Sequence, residues 1–221
     1  MNLYRRGAFV GVKENFMPTR VIAINATLKK STKEPSSTDA MIELIAGYLK
    51  DHDAELSETI RLADHDIHPG VTSDEGEGDL WPAILAKILA ADVLIFGTPI
   101  WMGQPSSIAK RAMERMDAFL SETDDAGRTP AYGKVAVFAI VGNEDGAHFS
   151  TAAMAQSLND VGWTIPAASA CYWVGEAMNN KDFKDLPEVP KVIRKTAQMV
   201  ASNAVHLAEL LKAKPYPALG D

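Results

Sequence analysis

The chain has 221 residues, a net charge of −7, 47% hydrophobic residues and a single cysteine, Cys171. The length suits one α/β domain, the acidic charge disfavours nucleic-acid binding, and one cysteine excludes both an intrachain disulfide and a cysteine-based zinc cluster. Because no apolar run reaches the ~18 residues that would span a membrane, and cysteine usage fits a reducing compartment, we expect a cytoplasmic protein without membrane contact.

The hydrophobic pattern divides the chain into one domain and two short ends. Residues 1–18 show no clear period and are interpreted as an N-terminal arm. The domain is expected over 19–213. The tail, 214–221, contains two prolines and is expected to be loose.

The first strand is predicted over 19–25 and leads into a loop that is rich in hydroxyl and lysine side chains. Ser37, Thr38 or Asp39 could cap the helix that follows. Free backbone N–H groups, the helix dipole, hydroxyl donors and Lys29 would together hold a phosphate group. The stretch is neither a Walker A loop nor a glycine-rich dinucleotide loop. Taken by itself, it is interpreted equally well as an ordinary solvated loop.

A second strand is predicted over 58–62, and its alternating pattern suits the edge of a sheet. His65 and His68 follow among aspartates, but their spacing matches no standard site, so no metal is predicted. The glycine- and acid-rich stretch 70–79 is expected to be a solvated loop. A helix is then expected over 80–89.

A continuous apolar run over 92–96 predicts a central strand that is buried on both faces of a parallel sheet. The strand is expected to end at 97–99, because proline cannot donate to a strand ladder. Ser106 or Ser107 is expected to cap the next helix. The intervening loop carries large apolar side chains that could cover a flat aromatic ring or pack beneath a neighbouring loop. These side chains are Ile100, Trp101 and Met102.

A fourth buried strand is predicted over 133–141, and it ends in a loop whose glycines let backbone approach a ligand. His148, at the exit of this loop, is interpreted as a cap or hydrogen-bonding residue more readily than as a proton donor. The last strand region is predicted over 162–171, and a long amphipathic helix over 192–211 follows. Cys171 is interpreted as a buried small residue rather than a nucleophile, because no local motif surrounds it.

Five predicted strands alternate with helices, which is the pattern of a doubly wound parallel α/β sheet. In the strand order 2-1-3-4-5, the loops after the first and third strands meet at the topological switch point, where flavodoxin binds FMN. The predicted phosphate loop and the loop with aromatic character are therefore neighbours. This convergence favours a single ligand site over separate structural explanations of the two loops.

Four short motifs carry a resemblance to a known family. They are Ala26-Thr27-Leu28-Lys29 with Ser36-Ser37-Thr38, Gly97-Thr98-Pro99-Ile100-Trp101-Met102-Gly103, Gly142-Asn143-Glu144-Asp145-Gly146-Ala147-His148, and Tyr172-Trp173-Val174-Gly175-Glu176. Over about residues 20–210 the chain resembles the flavodoxin-like NAD(P)H-dependent oxidoreductases, the FMN reductase and multimeric flavodoxin-like quinone reductase group. It departs from that group in two ways. Its phosphate loop is lengthened by residues 30–35, and its first eighteen residues have no obvious counterpart in the group.

The resemblance implies a flavodoxin-like fold, FMN as the cofactor and NAD(P)H as the reductant. It implies that the FMN phosphate is held by Thr27, Lys29, Ser37 and Thr38. It implies that the isoalloxazine ring is lined by Pro99, Ile100, Trp101, Met102 and Gly103, and is closed on its other side by Gly142, Asn143 and Gly146. Hydride transfer requires no side-chain acid or base, so no catalytic residue is assigned. The candidates beside the ring are Trp101, Met102 and His148.

The predicted function is transfer of hydride from a nicotinamide to FMN and onward to a quinone or similar flat small-molecule acceptor. The resemblance implies assembly into a homodimer or homotetramer. The first alternative is an electron-carrier, flavodoxin-like FMN-binding protein without NAD(P)H turnover. The second is a non-flavin α/β protein such as a hydrolase, although the chain has no Gly-x-Ser-x-Gly motif of the common esterases.

Overall fold

The computed structural model describes residues 18–32, 34–177, 179 and 181–218. The strands are β1 Thr19–Asn25, β2 Ala54–Arg61, β3 Val93–Trp101, β4 Gln104–Pro105, β5 Val135–Gly142 and β6 Ala170–Val174. The α-helices are α1 Ser37–Gly47, α2 Trp81–Ala90, α3 Ser107–Met116, α4 Ala147–Asp160 and α5 Lys191–Ala213. Short 3₁₀ turns lie at Leu49–His52, Leu62–Asp64, Asp117–Leu120 and Phe183–Asp185.

The core strands form a parallel sheet in the order β2-β1-β3-β5-β6, and the short β4 pairs antiparallel with the end of β3. When β4 is set aside, this is the predicted order 2-1-3-4-5, so the doubly wound fold is confirmed. Helices α1 and α5 cover one face of the sheet, and α2, α3 and α4 cover the other. Each face has its own apolar core, because successive side chains of a buried strand alternate between the two faces.

Strand β3 runs through Pro99 to Trp101 instead of ending at the proline as predicted. Pro99 is aligned with Val141 of β5, whereas β1 ends at Asn25, opposite Gly97. The carbonyl oxygen of Gly97 accepts the N–H of Ala26, on the β1 side of β3. Because backbone polar groups alternate in direction along a strand, the backbone nitrogen of Pro99 faces the same side, beyond the end of β1. No described strand is paired with Pro99 on that side, so the backbone N–H that proline lacks leaves no hydrogen-bond acceptor without its partner. The strand therefore continues and carries its tip beyond the sheet.

Strand β6 lies later in the chain than predicted, at Ala170–Val174 rather than within 162–171. Thr164 forms only an isolated bridge with Val135, and a turn follows in which Ala168 has a left-handed backbone with φ 54°. The apolar residues around 162–166 therefore pack as a connection and do not form a strand.

The two predicted ends of the chain are only partly described. Apart from Pro18, the N-terminal arm lies outside the described residues, as do residues 219–221 of the tail. Within the tail, the Tyr216 ring lies edge-on to Tyr132 at 5.7 Å, and its hydroxyl is 3.1 Å from the Thr164 hydroxyl. Among the residues with described positions, no helix has both the length and the apolar content needed to cross a membrane.

The connection between β2 and α2 is anchored to α3 by a buried ion pair. The guanidinium of Arg115 lies 2.7 Å from the carboxylate of Asp79, and both side chains are 0% exposed. Arg115 also donates to the backbone carbonyls of His68 and Thr72 at 3.0 and 2.7 Å. The Asp79 carboxylate accepts further bonds from the backbone N–H groups of His68, Glu75 and Trp81. The stretch expected to be a solvated loop is therefore fixed at its end.

Candidate active site

A cleft of about 660 Å³ opens at the carboxyl ends of β1, β3 and β5, where the order of the strands reverses. Most of the predicted cofactor-binding residues line it, namely Thr27, Lys29, Ser37, Thr38, Pro99, Ile100, Trp101, Gly142 and Asn143. The fold thus brings together residues from three separate loops. Their contacts with a cofactor remain predictions.

One end of the cleft is the start of helix α1. Ser36, rather than one of the three predicted residues, caps this helix. Its hydroxyl accepts the Asp39 N–H at 3.1 Å, and the Asp39 carboxylate accepts the Ser36 N–H at 2.7 Å, which forms a capping box. Within the described part of the chain, the N–H groups of Ser37 and Thr38 have no hydrogen-bond partner. They are the donors that a helix start offers to an anion.

Arg61, at the end of β2, is a cleft residue that the sequence analysis missed. Its guanidinium pairs with the Asp39 carboxylate, and only 10% of its side chain is exposed. It also donates to the backbone carbonyls of Lys30 and Lys29 at 3.2 and 3.5 Å. Arg61 therefore joins the lengthened loop to the start of α1 and offsets the negative charge of Asp39.

Residues 181–185, called the strap below, run along the cleft from the start of α1 to the loop after β5. The backbone N–H of Lys184 donates to the Ser37 hydroxyl at 3.3 Å, and its ammonium lies 3.6 Å from the Glu34 carboxylate. Asp182 accepts a bond from the side-chain amide of Asn143 at 3.1 Å. The loop after β6 therefore contributes to the site, although the sequence analysis assigned it no role.

The residues present fit a flavin phosphate. The start of α1 offers unpaired N–H groups beside the cations of Lys29 and Arg61, which suits a phosphate group. At the other end, the carbonyl oxygen of the Asn143 side chain is buried and has no partner among the described residues. A buried acceptor of this kind suits a ligand that carries an N–H donor, as the isoalloxazine ring does.

The hairpin between β3 and β4 separates the predicted ring-lining residues into two groups. Trp101 lines the cleft and is 51% exposed, whereas Met102 and Gly103 do not line it, and Met102 is 88% exposed. Gly146 also lies outside the cleft. A Cβ atom at Gly146 would come 2.5 Å from the Gly103 carbonyl oxygen, so these glycines let two loops touch.

Gly146→Ala should lower the free energy of unfolding by about 2–4 kcal/mol, because the φ of 131° is strained for alanine and the added Cβ meets backbone. Urea denaturation followed by circular dichroism would measure the change. Gly47→Ala is the control. Its Cβ would meet nothing within 4 Å in a helix, so it should stabilise by about 0.5–1 kcal/mol. Equal stability of the two variants would contradict the close approach of Gly146 to the backbone of Gly103.

His148 lies outside the cleft, so the geometry does not favour it as a residue beside the ring. Its Nε2 atom is 2.9 Å from the Tyr172 hydroxyl, and the two rings meet edge-on at 5.3 Å. This agrees with the interpretation of His148 as a hydrogen-bonding residue. Over the described ranges, no group of three or more His, Cys, Asp or Glu side chains could hold a metal ion.

Cys171 is buried, and its thiol points to the carbonyl of Ile193 at 3.6 Å. Burial raises the pKa of the Cys171 thiol to about 12, so the thiol stays protonated at neutral pH and cannot act as a nucleophile. We expect no reaction of the folded protein with a thiol-specific chromogenic disulfide at pH 8, and one equivalent of reaction in urea. A thiol that reacts in the folded protein at the rate of free cysteine would refute this.

The model of the NADPH-dependent FMN reductase family matches residues 19–178. The 8-demethyl-8-aminoriboflavin-5'-phosphate synthase of Streptomyces davaonensis is 30% identical over 210 residues, which cover 90% of this chain and 81% of that protein. A divalent metal cation transporter, MntH, of Mycobacterium bovis is 37% identical over 202 residues, or 88% of this chain. The chain spans only 29% of that transporter's length.

Among solved structures, RosB with its bound intermediate 8-demethyl-8-formylriboflavin-5'-phosphate superimposes with a TM-score of 0.79. RosB is 28% identical, and the match covers 90% of this chain and 82% of RosB. The structural match confirms the flavodoxin-like fold. The family match, together with this flavin-phosphate-binding neighbour, supports FMN as the cofactor and NAD(P)H as the reductant. The chain belongs to the NADPH-dependent FMN reductase family.

Proposed function

We propose that the protein is an FMN-dependent oxidoreductase that takes reducing equivalents from NAD(P)H and delivers them to a quinone or similar flat acceptor. One observation carries this proposal. A single cleft at the switch point offers an anion-binding helix start at one end and the half-exposed Trp101 at the other. When bound there, FMN would supply the two-electron chemistry, and the protein would supply binding and orientation.

At the phosphate end, we assign binding to donors and cations that the fold already holds in place. The N–H groups of Ser37 and Thr38, the Thr27 hydroxyl, and the charges of Lys29 and Arg61 would contact the phosphate. Arg61 also keeps the neighbouring Asp39 from repelling the phosphate, because the two side chains are paired.

At the ring end, Pro99, Ile100 and Trp101 would lie along one wall, and Gly142 with Asn143 along the other. A nicotinamide and an acceptor would use the open side in turn, next to the exposed part of Trp101. No cleft side chain needs to move a proton for hydride transfer, so we assign no catalytic acid or base.

The proposal extends to assembly and location. We propose a homodimer or homotetramer in the cytoplasm, with the N-terminal arm 1–18 and the long C-terminal helix α5 as candidate contacts between subunits. The support is the family resemblance. Light scattering of the purified protein would measure its mass in solution, and a monomeric mass at working concentration would refute the assembly.

The absorbance spectrum of the FMN-loaded protein, recorded without oxygen before and after NADPH is added, tests the activity. We expect flavin bands that bleach with NADPH and return when a naphthoquinone is added. Bands that persist with NADPH and NADH, but bleach with dithionite, would favour the electron-carrier alternative. Absence of flavin bands after incubation with FMN would refute the proposal.

A second candidate function is modification of the flavin phosphate itself. It is favoured by the likeness to the Streptomyces synthase and to RosB, whose names and bound intermediate describe a flavin phosphate that is chemically changed. Mass spectrometry of flavin recovered after turnover separates the two functions. An unchanged FMN mass supports the oxidoreductase, and a new flavin mass supports modification.

A further inference from the structure

The tip of the β3–β4 hairpin holds a methionine in an unfavourable backbone conformation. Met102 and Gly103 form a two-residue turn between the paired residues Trp101 and Gln104. Their φ angles are 53° and 75°, so both lie in the left-handed region, as a type I′ turn requires. Asparagine, aspartate and glycine suit that region, whereas a long side chain is disfavoured there.

Packing within the described chain does not explain why a methionine occupies this position. The Met102 side chain is 88% exposed, so little protein surface compensates for the strained backbone. The neighbouring Trp101 is 51% exposed and lines the cleft, which places Met102 just beyond the cleft's rim. A strained residue with a large exposed side chain beside a ligand cleft is typical of a residue that contacts a ligand.

A second, independent observation concerns Glu144, which the sequence analysis gave no role of its own. Its two carboxylate oxygens accept the N–H groups of Met102 and Gly103, at 3.0 and 3.2 Å. Glu144 lies in the loop after β5 and lines the cleft. Gly146 of the same loop abuts the backbone of Gly103. The turn is therefore held at two points against the opposite wall of the cleft.

We infer that Met102 contacts the electron acceptor, that this acceptor is a flat apolar aromatic molecule, and that Glu144 is the positioning residue that holds Met102 in place. The inference rests on the proposed function and names the substrate class for the same site. An exposed thioether at the residue that follows Trp101 suits an aromatic molecule, because sulfur makes favourable contacts with aromatic rings. It does not suit a strongly hydrated anion. Met102 lies outside the cleft that we assign to FMN, so we assign the contact to the acceptor. The nicotinamide would use the same open side, and an unchanged KM for NADPH in a Met102 variant is the result that separates the two.

The variant Met102→Gly keeps the turn and removes the side chain. In steady-state assays with NADPH, we expect the KM for menadione to rise about tenfold with kcat within threefold, as for loss of an apolar contact. Turnover with ferricyanide, the KM for NADPH and the Kd for FMN should change less than twofold. The melting temperature should rise by about 2–4 °C, because glycine relieves the strain. Met199→Ala, an exposed methionine on α5, is the control and should change none of these.

A double-mutant cycle separates positioning from general structural damage. Glu144→Ala should raise the KM for menadione about as much as Met102→Gly, yet add less than twofold in the Met102→Gly background. Glu144→Gln keeps one carbonyl acceptor and should retain part of the wild-type KM. Asp145→Asn removes the same charge from the next residue and should leave the KM unchanged.

The outcomes distinguish this inference from the proposed function. An unchanged KM for menadione in Met102→Gly, or additive effects in the cycle, would overturn the inference while the proposed function stands. Wild-type turnover with ferricyanide but not with menadione would do the same. Failure to oxidise NADPH with either acceptor would contradict the proposed function and this inference with it.

Discussion

Replacing Arg115 with alanine should lower the free energy of unfolding by about 3–5 kcal/mol, because it leaves a buried carboxylate without its counter-ion. The side chains of Arg115 and Asp79 are 0% exposed, so water cannot take over the lost contact. The change also removes the donors to the carbonyls of His68 and Thr72. Urea denaturation at pH 7 would measure it.

Arg111→Ala is the matched control, because Arg111 lies one helical turn earlier on α3 and donates a single bond, to the carbonyl of Ile67. It is exposed, and its loss should cost about 1 kcal/mol or less. Equal effects of the two variants would show that Arg115 acts only through its aliphatic stem. Removing both charges, with Asp79→Ala added to Arg115→Ala, should not restore stability, because the carboxylate also accepts three backbone N–H bonds.

The same pair makes stability depend on pH. Burial by itself raises the pKa of Asp79. The hydrogen bond from Arg115 and the backbone N–H bonds lower it by more, so the pKa in the folded protein lies well below its usual value. A depressed folded pKa contributes stability above the unfolded pKa of about 3.9. That stability is lost as pH falls toward the folded pKa. The difference in the free energy of unfolding between wild type and Arg115→Ala should therefore have its full size at pH 7 and become smaller below about pH 4. A constant difference would contradict this.

Arg61→Ala should weaken FMN binding by about 10–100-fold and riboflavin binding by less than about threefold. Two contacts are lost together. The Asp39 carboxylate is left without its counter-ion near the proposed phosphate position, and the carbonyl of Lys30 loses a donor that helps to hold the lengthened loop. Quenching of flavin fluorescence during titration measures both affinities.

Arg61→Lys should recover part of the FMN affinity, because the charge is kept but the fork that reaches two partners is lost. Arg194→Ala, which removes an ion pair with Glu188 away from the cleft, should leave both affinities unchanged. An equal loss for FMN and riboflavin in Arg61→Ala would show that the cleft had collapsed, and that Arg61 does not act at the phosphate.

The order and type of the main elements could be predicted, because buried parallel strands appear as continuous apolar runs. The strands predicted at 19–25 and 92–96 contain such runs, at 21–24 and 93–96, and the sheet is built on them. The prediction missed the ends of strands and helices that depend on neighbouring strands or side chains. The strand through Pro99 is tolerated only because β1 has already ended, and Ser36 caps α1 because Asp39 completes a capping box with it. Local pattern alone does not contain either fact.

Cleft-lining residues could be predicted where they depend on position at strand ends, and were missed where they depend on distant side chains. Thr27 follows β1 and Trp101 is the last residue of β3, so topology places both in the cleft. Arg61 acquires its role through Asp39, and Lys184 through Ser37, which is 147 residues away in sequence. Such pairs become visible only when the chain is folded.

If FMN binds as proposed, the strap would also affect how fast the flavin leaves the cleft. A flavin phosphate at the start of α1 would lie beneath chain that is bonded to Ser37 on one side and to Asn143 on the other. Its rate of release would then follow how often those bonds open rather than the strength of the phosphate contacts. Because the pair between Lys184 and the exposed Glu34 weakens in salt, flavin should exchange faster at high ionic strength. Protein purified at low ionic strength would therefore keep its bound flavin, and with it the yellow colour of the flavin, longer than protein purified in high salt.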